Sequence, residues 1–217
     1  MNRWTLIVCM AVMGCSKETE EGPPADTDVF AVGDSVFDWH SEDGLSAPER
    51  VGVELGLKVF NASVSGAEMS VDSGNSISDQ YVSGDWDWVV MDGGGNDLND
   101  RCGCGECDAV QDQVESAFAD FVAERRSEGL SVVIWGYYGI PDGAEFGFAR
   151  CTEAVTELSR RQQALAATDE GVLWVDGRQA IDGQNSAHFD EDNVHPSVQG
   201  SRIIGAQIAE AIQASGR

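Results

Sequence analysis

The chain has 217 residues and a formal net charge of −25, from 38 acidic and 13 basic side chains. A surface this acidic repels polyanions, which argues against nucleic acid as a partner. The hydrophobic fraction of 42% predicts a folded protein, and the length fits one domain with a sizeable core.

The N-terminus carries an export signal. An apolar stretch of ten residues, 4–13, is too short to span a bilayer as an ordinary transmembrane helix. It ends before Gly14 and Cys15, and this pair resembles a bacterial lipobox, in which the cysteine is lipidated and becomes the mature N-terminus. A plain secretory signal that happens to contain Cys15 is the alternative.

The next segment is polar and acidic and has little that could pack. We therefore expect a lipoprotein signal peptide at 1–14, an acidic flexible tether at 15–28 and a folded domain at 29–217. Because Ser16 rather than Asp follows the lipidated cysteine, the resemblance implies an anchor in the outer membrane of a Gram-negative cell.

Strand and helix patterns alternate from Val29 onward. Each predicted strand is a short apolar run, and the predicted helices show capping signals or apolar residues at helical spacing. The strands are predicted at 29–32, 57–62, 88–91, 131–135 and 172–175, and the helices at 46–55, 109–127, 152–167 and 198–212. This alternation predicts a three-layer α/β/α sandwich on a five-stranded parallel sheet.

Four loop segments carry the residues that suggest chemistry. Ligands of an open α/β sheet bind outside the carboxyl ends of its strands, and each segment follows a strand. We therefore expect the four to meet at one edge of the sheet. They are Gly33-Asp34-Ser35-Val36, 61–66 (NASVSG), 94–97 (GGND) and 192–196 (DNVHP).

Ser35 has two interpretations. Gly, Asp and Ser are ordinary turn residues that end strands in many proteins. A serine at the end of a strand can also be a nucleophile, which needs a base. His195 stands before a proline, and Asp192 lies three residues upstream, where a tight loop lets its carboxylate reach the imidazole.

An oxyanion formed at such a serine needs hydrogen-bond donors. Gly66 can bring its N–H close to a reacting oxygen because it has no Cβ, and Asn96 can add a side-chain amide. The plain alternatives are a turn glycine, a helix cap and, for Asp192, a solvated charge. His40 and His188 are expected to be ordinary surface residues.

The four segments GDSV, NASVSGA, GGNDL and DNVHPS resemble those of the SGNH hydrolases, also called GDSL-type esterases and lipases, over residues 29–213. The resemblance implies a flavodoxin-like fold and hydrolysis of carboxylic esters through an acyl-enzyme, with no metal or cofactor. The implied roles are Ser35 as nucleophile, His195 as base, Asp192 as orienting acid, and Ser35 N–H, Gly66 and Asn96 as the oxyanion hole.

The motifs do not define the substrate. Lipid esters, thioesters and O-acylated or O-acetylated sugars are all compatible with the motifs. Two other functions use the same scaffold: an acyl- or acetyltransferase, and an inactive module that binds carbohydrate or lipid. We expect a monomer whose partners are a small-molecule, lipid or glycan ester and, through Cys15, a membrane.

Four cysteines lie in the predicted domain: Cys102, Cys104, Cys107 and Cys151. An exported protein and an even count predict two disulfides. A zinc site and a redox pair are the alternatives. Cys102 and Cys104 are too close in sequence to bond without strain, so Cys151 is expected to pair with one of the three. The sets are Cys104–Cys151 with Cys102–Cys107, or Cys102–Cys151 with Cys104–Cys107.

Overall fold

The computed structural model describes residues 22–71 and 74–217, which form a five-stranded parallel sheet with helices on both faces. The strands are β1 (Val29–Val32), β2 (Val59–Asn61), β3 (Trp88–Met91), β4 (Ser131–Gly136) and β5 (Val172–Asp176). The helices are α1 (Ser35–Asp38), α2 (Ala47–Leu55), α3 (Gly95–Cys102), α4 (Asp108–Ser127), α5 (Thr152–Ala166), α6 (Gly177–Ala180) and α7 (Val198–Ser215).

The strand order is β2-β1-β3-β4-β5, and every neighbouring pair is parallel. The predicted three-layer α/β/α class is therefore confirmed. The chain moves from β1 outward to β2 and then returns to the other side of β1 for β3. The loops after β1 and β3 consequently diverge, and the crevice between them is where open sheets bind ligands.

The inner strands are buried on both faces. All four residues of β1 and of β3 are buried, as expected for parallel strands covered by helices on both sides. These strands read as continuous apolar runs rather than as alternating ones. Their burial fixes the strand ends, and so the position of the loops that follow them.

Several boundaries differ from the sequence-based prediction. The second strand is shorter than 57–62, because only Val59–Asn61 pair with β1. The helices α1, α3 and α6 were not predicted. They are short, and α3 begins in a run of glycines that gives no apolar period.

The domain begins slightly earlier than residue 29. Thr27 is buried, and Asp28 N donates to Lys58 O at 2.9 Å, so the end of the predicted tether packs on the sheet. The predicted signal peptide, Cys15 and the first part of the tether lie outside the described residues. Within 22–71 and 74–217, no helix is long and apolar enough to cross a membrane.

Candidate active site

Ser35 is the first residue of α1 and is half-buried. Asp34 caps this helix by accepting a hydrogen bond from Val36 N at 2.9 Å. Gly33 is needed because a Cβ there would lie only 1.8 Å from Asp92 Oδ1. Its N–H and C=O are held by the side-chain amide of Gln80, both at 2.8 Å. The backbone that presents Ser35 is therefore fixed on both sides.

A buried acidic network lies directly behind Ser35. Asp34 N donates to Asp92 Oδ1 at 2.8 Å, and the Asp34 carboxylate accepts from the Tyr137 hydroxyl. That hydroxyl accepts in turn from Gly95 N at 3.1 Å, at the start of α3. The network thus ties the loop after β1 to the loop after β3.

Burial controls the protonation of the two carboxyl groups. It raises the pKa of Asp34, although hydrogen bonds from Tyr137 and Val36 lower that pKa in part. Burial, followed by the neighbouring charge of Asp34, raises the pKa of Asp92 well above its ordinary value. Asp34 receives the hydrogen bonds that favour a carboxylate, so we assign the proton to Asp92.

His195 and Asp192 form the expected pair. His195 Nδ1 lies 2.7 Å from Asp192 Oδ2, while Asp192 Oδ1 accepts from Val194 N at 2.8 Å and His195 N at 2.9 Å. Burial raises the pKa of Asp192, but the hydrogen bonds from His195 and Val194 outweigh this effect and leave the pKa below its usual value. Asp192 is therefore an anion that holds Nδ1 as the protonated ring nitrogen, which leaves Nε2 able to accept a proton.

Trp39 packs against the imidazole of His195. The two ring centroids are 3.8 Å apart and the ring planes differ by 8°, a stacked arrangement. Trp39 Nε1 donates to Asp190 Oδ2 at 2.6 Å, and Asp190 N donates to His195 O at 2.9 Å. Asp192 thus fixes the edge of the imidazole and Trp39 covers one face.

Asn96 contacts the turn that contains Gly66. Gly66 has φ +78° in the turn closed by the hydrogen bond from Ala67 N to Val64 O, where the backbone favours glycine. Asn96 Nδ2 donates to Ala67 O at 2.9 Å. Gly66 is therefore a turn glycine, as the plain interpretation predicts, and Asn96 binds the residue that follows it.

The four predicted segments converge, as the sheet topology requires. Val64 N donates to Gly33 O at 3.1 Å, and Ser65 N donates to Asp38 of α1 at 3.0 Å. A single cavity of about 20 Å³ is lined by residues of three of the segments together with apolar side chains of the β4–α5 region. Its lining includes Ser35, Asn96, Tyr138, Ile140, Phe148 and Val194.

The other two histidines are not plain surface residues. His188 is buried, and its Nε2 lies 3.1 Å from Asn185 Nδ2. His40 is half-buried, with Nε2 3.4 Å from Asp190 Oδ2. The packing of loops covers both side chains, and the spacing of residues in the sequence does not predict that packing.

Sequence reasoning missed Trp39 and the Asp92–Tyr137 network. Trp39 stands four residues after Ser35, so its proximity to Ser35 was visible in the sequence, but its stacking on His195 was not. Asp92 directly follows β3, and a carboxylate at the end of a central buried strand was the available signal.

All four cysteines of the domain are in disulfides. Cys102 is bonded to Cys107 and Cys104 to Cys151, which is the first of the two predicted sets. The long bridge joins the end of α3 to the start of α5. Among residues 22–71 and 74–217, no group of three or more His, Cys, Asp or Glu side chains is arranged to hold a metal ion.

Comparisons with known proteins agree with this geometry. A model of the GDSL-like lipase/acylhydrolase family matches residues 31–203, a range that contains all four segments. No curated protein matches the chain.

Solved structures share the fold at low identity. An acetylxylan esterase from Geobacillus stearothermophilus is 18% identical with a TM-score of 0.63, over 87% of this chain and 94% of that one. A member of the lipolytic protein G-D-S-L family from Veillonella parvula is 16% identical with a TM-score of 0.66, over 86% of this chain and 98% of that one.

Proposed function

Because the chain belongs to the GDSL-like lipase/acylhydrolase family and is a hydrolase of ester bonds, we propose that it cleaves esters of short acyl groups through an acyl-enzyme on Ser35. The observation that carries this proposal is the 2.7 Å contact between His195 Nδ1 and Asp192, in a loop that lines the same cavity as Ser35. A serine hydroxyl is a poor nucleophile without such a base.

The first half of the reaction forms the acyl-enzyme. His195 Nε2 takes the proton of Ser35 Oγ as the oxygen attacks the ester carbonyl. The negative charge that develops on the carbonyl oxygen is met by donors from Ser35 N–H, Gly66 N–H and the Asn96 amide. The intermediate then expels the alcohol, which receives the proton from His195.

The second half returns the enzyme to its starting state. Water attacks the acyl carbonyl and gives its proton to His195 Nε2. The bond to Ser35 Oγ breaks, the serine regains its proton from the imidazole, and the carboxylic acid leaves. Throughout, Asp192 remains an anion and stabilises the imidazolium that forms twice in each cycle.

The size of the cavity beside Ser35 supports a short acyl group. A volume of about 20 Å³ admits one water-sized or methyl-sized group. The walls are buried side chains, including Val36, Tyr138 and Val194, each less than a tenth exposed. Widening the cavity would mean moving packed residues, which costs energy in a densely packed interior.

Ser35→Ala tests the mechanism. We expect it to abolish turnover and covalent labelling by a fluorophosphonate probe, because the reacting oxygen is removed, while the circular dichroism spectrum stays unchanged. The matched control is Ser41→Ala, a half-buried serine six positions further along the chain. Labelling of Ser35→Ala at another serine would contradict the assignment.

A chain-length series tests the acyl specificity. With p-nitrophenyl esters, kcat/KM should be highest for acetate and fall by about tenfold or more by hexanoate, because a longer chain cannot enter the cavity without displacing its walls. A maximum at octanoate or beyond would contradict the short-acyl proposal.

The lipid anchor is proposed from sequence alone. The apolar stretch 4–13 before Gly14 and Cys15 supports export followed by lipidation, and Ser16 supports the outer membrane of a Gram-negative cell. The mass of the mature N-terminus distinguishes a diacylated Cys15 from a lipid-free cleavage product.

A further inference from the structure

Phe146 is an exposed aromatic ring beside the proposed base. Its relative exposure is 63%, and it is the one aromatic among the exposed large hydrophobic side chains of residues 22–71 and 74–217. Its ring centroid lies 6.0 Å from that of His195, with the planes tilted by 54°. A large apolar side chain is therefore held in solvent within contact range of the catalytic machinery.

The backbone at Phe146 is unfavourable for this residue type. Phe146 has φ +53° and Gly147 has φ +91°, and Phe148 N donates to Glu145 O at 3.0 Å. These are the signs of a type I′ turn, whose first central position favours Asn, Asp or Gly. A bulky side chain with positive φ is an outlier of the kind that clusters at ligand-binding sites.

Hydrogen bonds from two sides hold the turn in this conformation. Asn99 of α3 donates through Nδ2 to Phe146 O at 3.1 Å. Glu145 N donates to Asp192 O at 3.0 Å, which ties the turn to the loop that carries His195. The Cys104–Cys151 bridge anchors the end of the same loop. The backbone of the turn is thus kept at a fixed place relative to the loop that carries His195.

The mechanism places the alcohol part of the ester at this ring. His195 protonates the departing alcohol, so the alcohol oxygen must lie beside the imidazole. Trp39 already covers one face of His195 at 3.8 Å. The cavity beside Ser35, at about 20 Å³, is too small to hold the alcohol part of the ester as well as the acyl group. The alcohol group therefore extends outward, across the exposed ring of Phe146.

The charged groups around Phe146 indicate which class of alcohol can bind there. Exposed Glu145 and Glu191 and half-buried Asp190 stand in the two loops that flank the ring. Carboxylates repel phosphate-bearing alcohols but accept hydrogen bonds from hydroxyl groups. An aromatic face packs against the C–H face of a saturated ring.

We propose that Phe146 is the binding platform for the alcohol part of the substrate, and that this alcohol is a neutral sugar bearing a short acyl group on a hydroxyl. The inference rests on the proposed function and adds the class of leaving group to it. Phe146 takes no part in the proton transfers.

The test compares two acetate esters, an O-acetylated methyl glucoside and ethyl acetate, on the full-length protein. Wild type should show a higher kcat/KM for the sugar ester. Phe146→Ala should lower the ratio of the two kcat/KM values about tenfold, mainly through a higher KM for the sugar ester. Phe146→Trp, which keeps a ring, should stay within about twofold of wild type. Val53→Ala, an equally exposed apolar residue on α2, is the control.

The outcomes are distinguishable. If Phe146→Ala leaves the ratio of the two kcat/KM values unchanged, whether or not both values fall, Phe146 does not bind the alcohol and the proposal is overturned. A wild type that prefers ethyl acetate would overturn the sugar assignment. Failure of the fluorophosphonate probe to label wild type at Ser35 would instead contradict the proposed function, and this inference with it.

Discussion

His195 and Asp192 carry different tasks in the proposed mechanism, although they touch at 2.7 Å. His195 moves a proton in both halves of the cycle, whereas Asp192 orients the imidazole and stabilises its charged form. Removal of the base therefore stops proton transfer altogether. Removal of the acid leaves a base that adopts the wrong tautomer for part of the time.

We expect His195→Ala to lower kcat by about 10⁵–10⁶-fold and Asp192→Asn by about 10³–10⁴-fold. Steady-state kinetics with p-nitrophenyl acetate measures both. Glu54→Gln, which removes an exposed carboxylate on α2, is the control and should stay close to wild type. Equal and small losses in the first two variants would exclude this pair from the chemistry.

Trp39 adds a positioning contact to the pair. Its indole covers one face of His195, and its Nε1–H is held by Asp190, so the imidazole has little freedom to rotate. The charged groups around the imidazole are Asp192 at its edge, Asp34 behind Ser35 and Asp190 beyond Trp39. All three are carboxyl groups, and those that are ionised favour the imidazolium of the reaction cycle.

At the scale of the elements, a disulfide joins the loops after β3 and β4. Cys104 follows α3 and Cys151 precedes α5; their Cα atoms are 4.8 Å apart, and the two residues are 47 positions apart in sequence. The Cys102–Cys107 bridge spans only five residues. A longer closed loop removes more entropy from the unfolded chain, so the two bridges should differ in their effect on stability.

Replacing Cys104 and Cys151 by serine together should lower the free energy of unfolding by about 4 kcal/mol, and replacing Cys102 and Cys107 together by about 2 kcal/mol. Urea unfolding of the two double variants measures this difference. Intact-mass analysis after alkylation without reductant should detect no free thiol in the wild-type domain. Four alkylated cysteines in protein taken from the exported fraction would contradict the pairing.

The elements differ in how far the sequence predicts them. The five strands were predicted because each is a short apolar run. The four motif segments were expected at one edge of the sheet because each comes after a strand. By contrast, α3 was missed because its glycine-rich start has no helical period. The contact between Trp39 and Asp190 joins residues 151 positions apart, and only the folded chain brings them together. Phe146 gave no signal either, because its turn has Phe rather than Asn, Asp or Gly at the first central position.

At the scale of the whole molecule, acidity acts in two opposed ways. A net charge of −25 produces repulsion that weakens as carboxylates become protonated. Hydrogen bonds from Arg160 and Arg161 lower the pKa of Glu157 to about 2, and one from Arg126 lowers that of Asp169. Groups with a lowered pKa in the folded state contribute stability above the pKa of the unfolded chain, and that contribution is lost as the pH falls.

The buried pair of Asp34 and Asp92 changes the stability with pH in the opposite direction. Burial raises both pKa values, and for Asp92 the charge of Asp34 raises it further. The stabilising contribution of such a group is fully present below the unfolded-state pKa of about 4. It is lost as the pH rises through the folded-state pKa, because ionisation then becomes easier in the unfolded chain. The contribution of this pair to the free energy of unfolding is therefore larger under mildly acidic conditions than at neutral pH.

Asp92→Asn isolates this term from the general charge effects. Asparagine cannot ionise, and its Oδ1 can keep the 2.8 Å hydrogen bond from Asp34 N. At pH 4 the variant should be closest to wild type in its free energy of unfolding, since Asp92 is then protonated in the folded state and about half protonated in the unfolded chain. As the pH rises toward 8, wild type should lose stability relative to the variant. Urea unfolding at pH 4, 6 and 8 measures the gap, and Asp142→Asn, an exposed carboxylate, serves as the control. A gap that is constant across this range would show that Asp92 does not titrate with a raised pKa, and would remove the argument that a protonated Asp92 supports the backbone of Ser35.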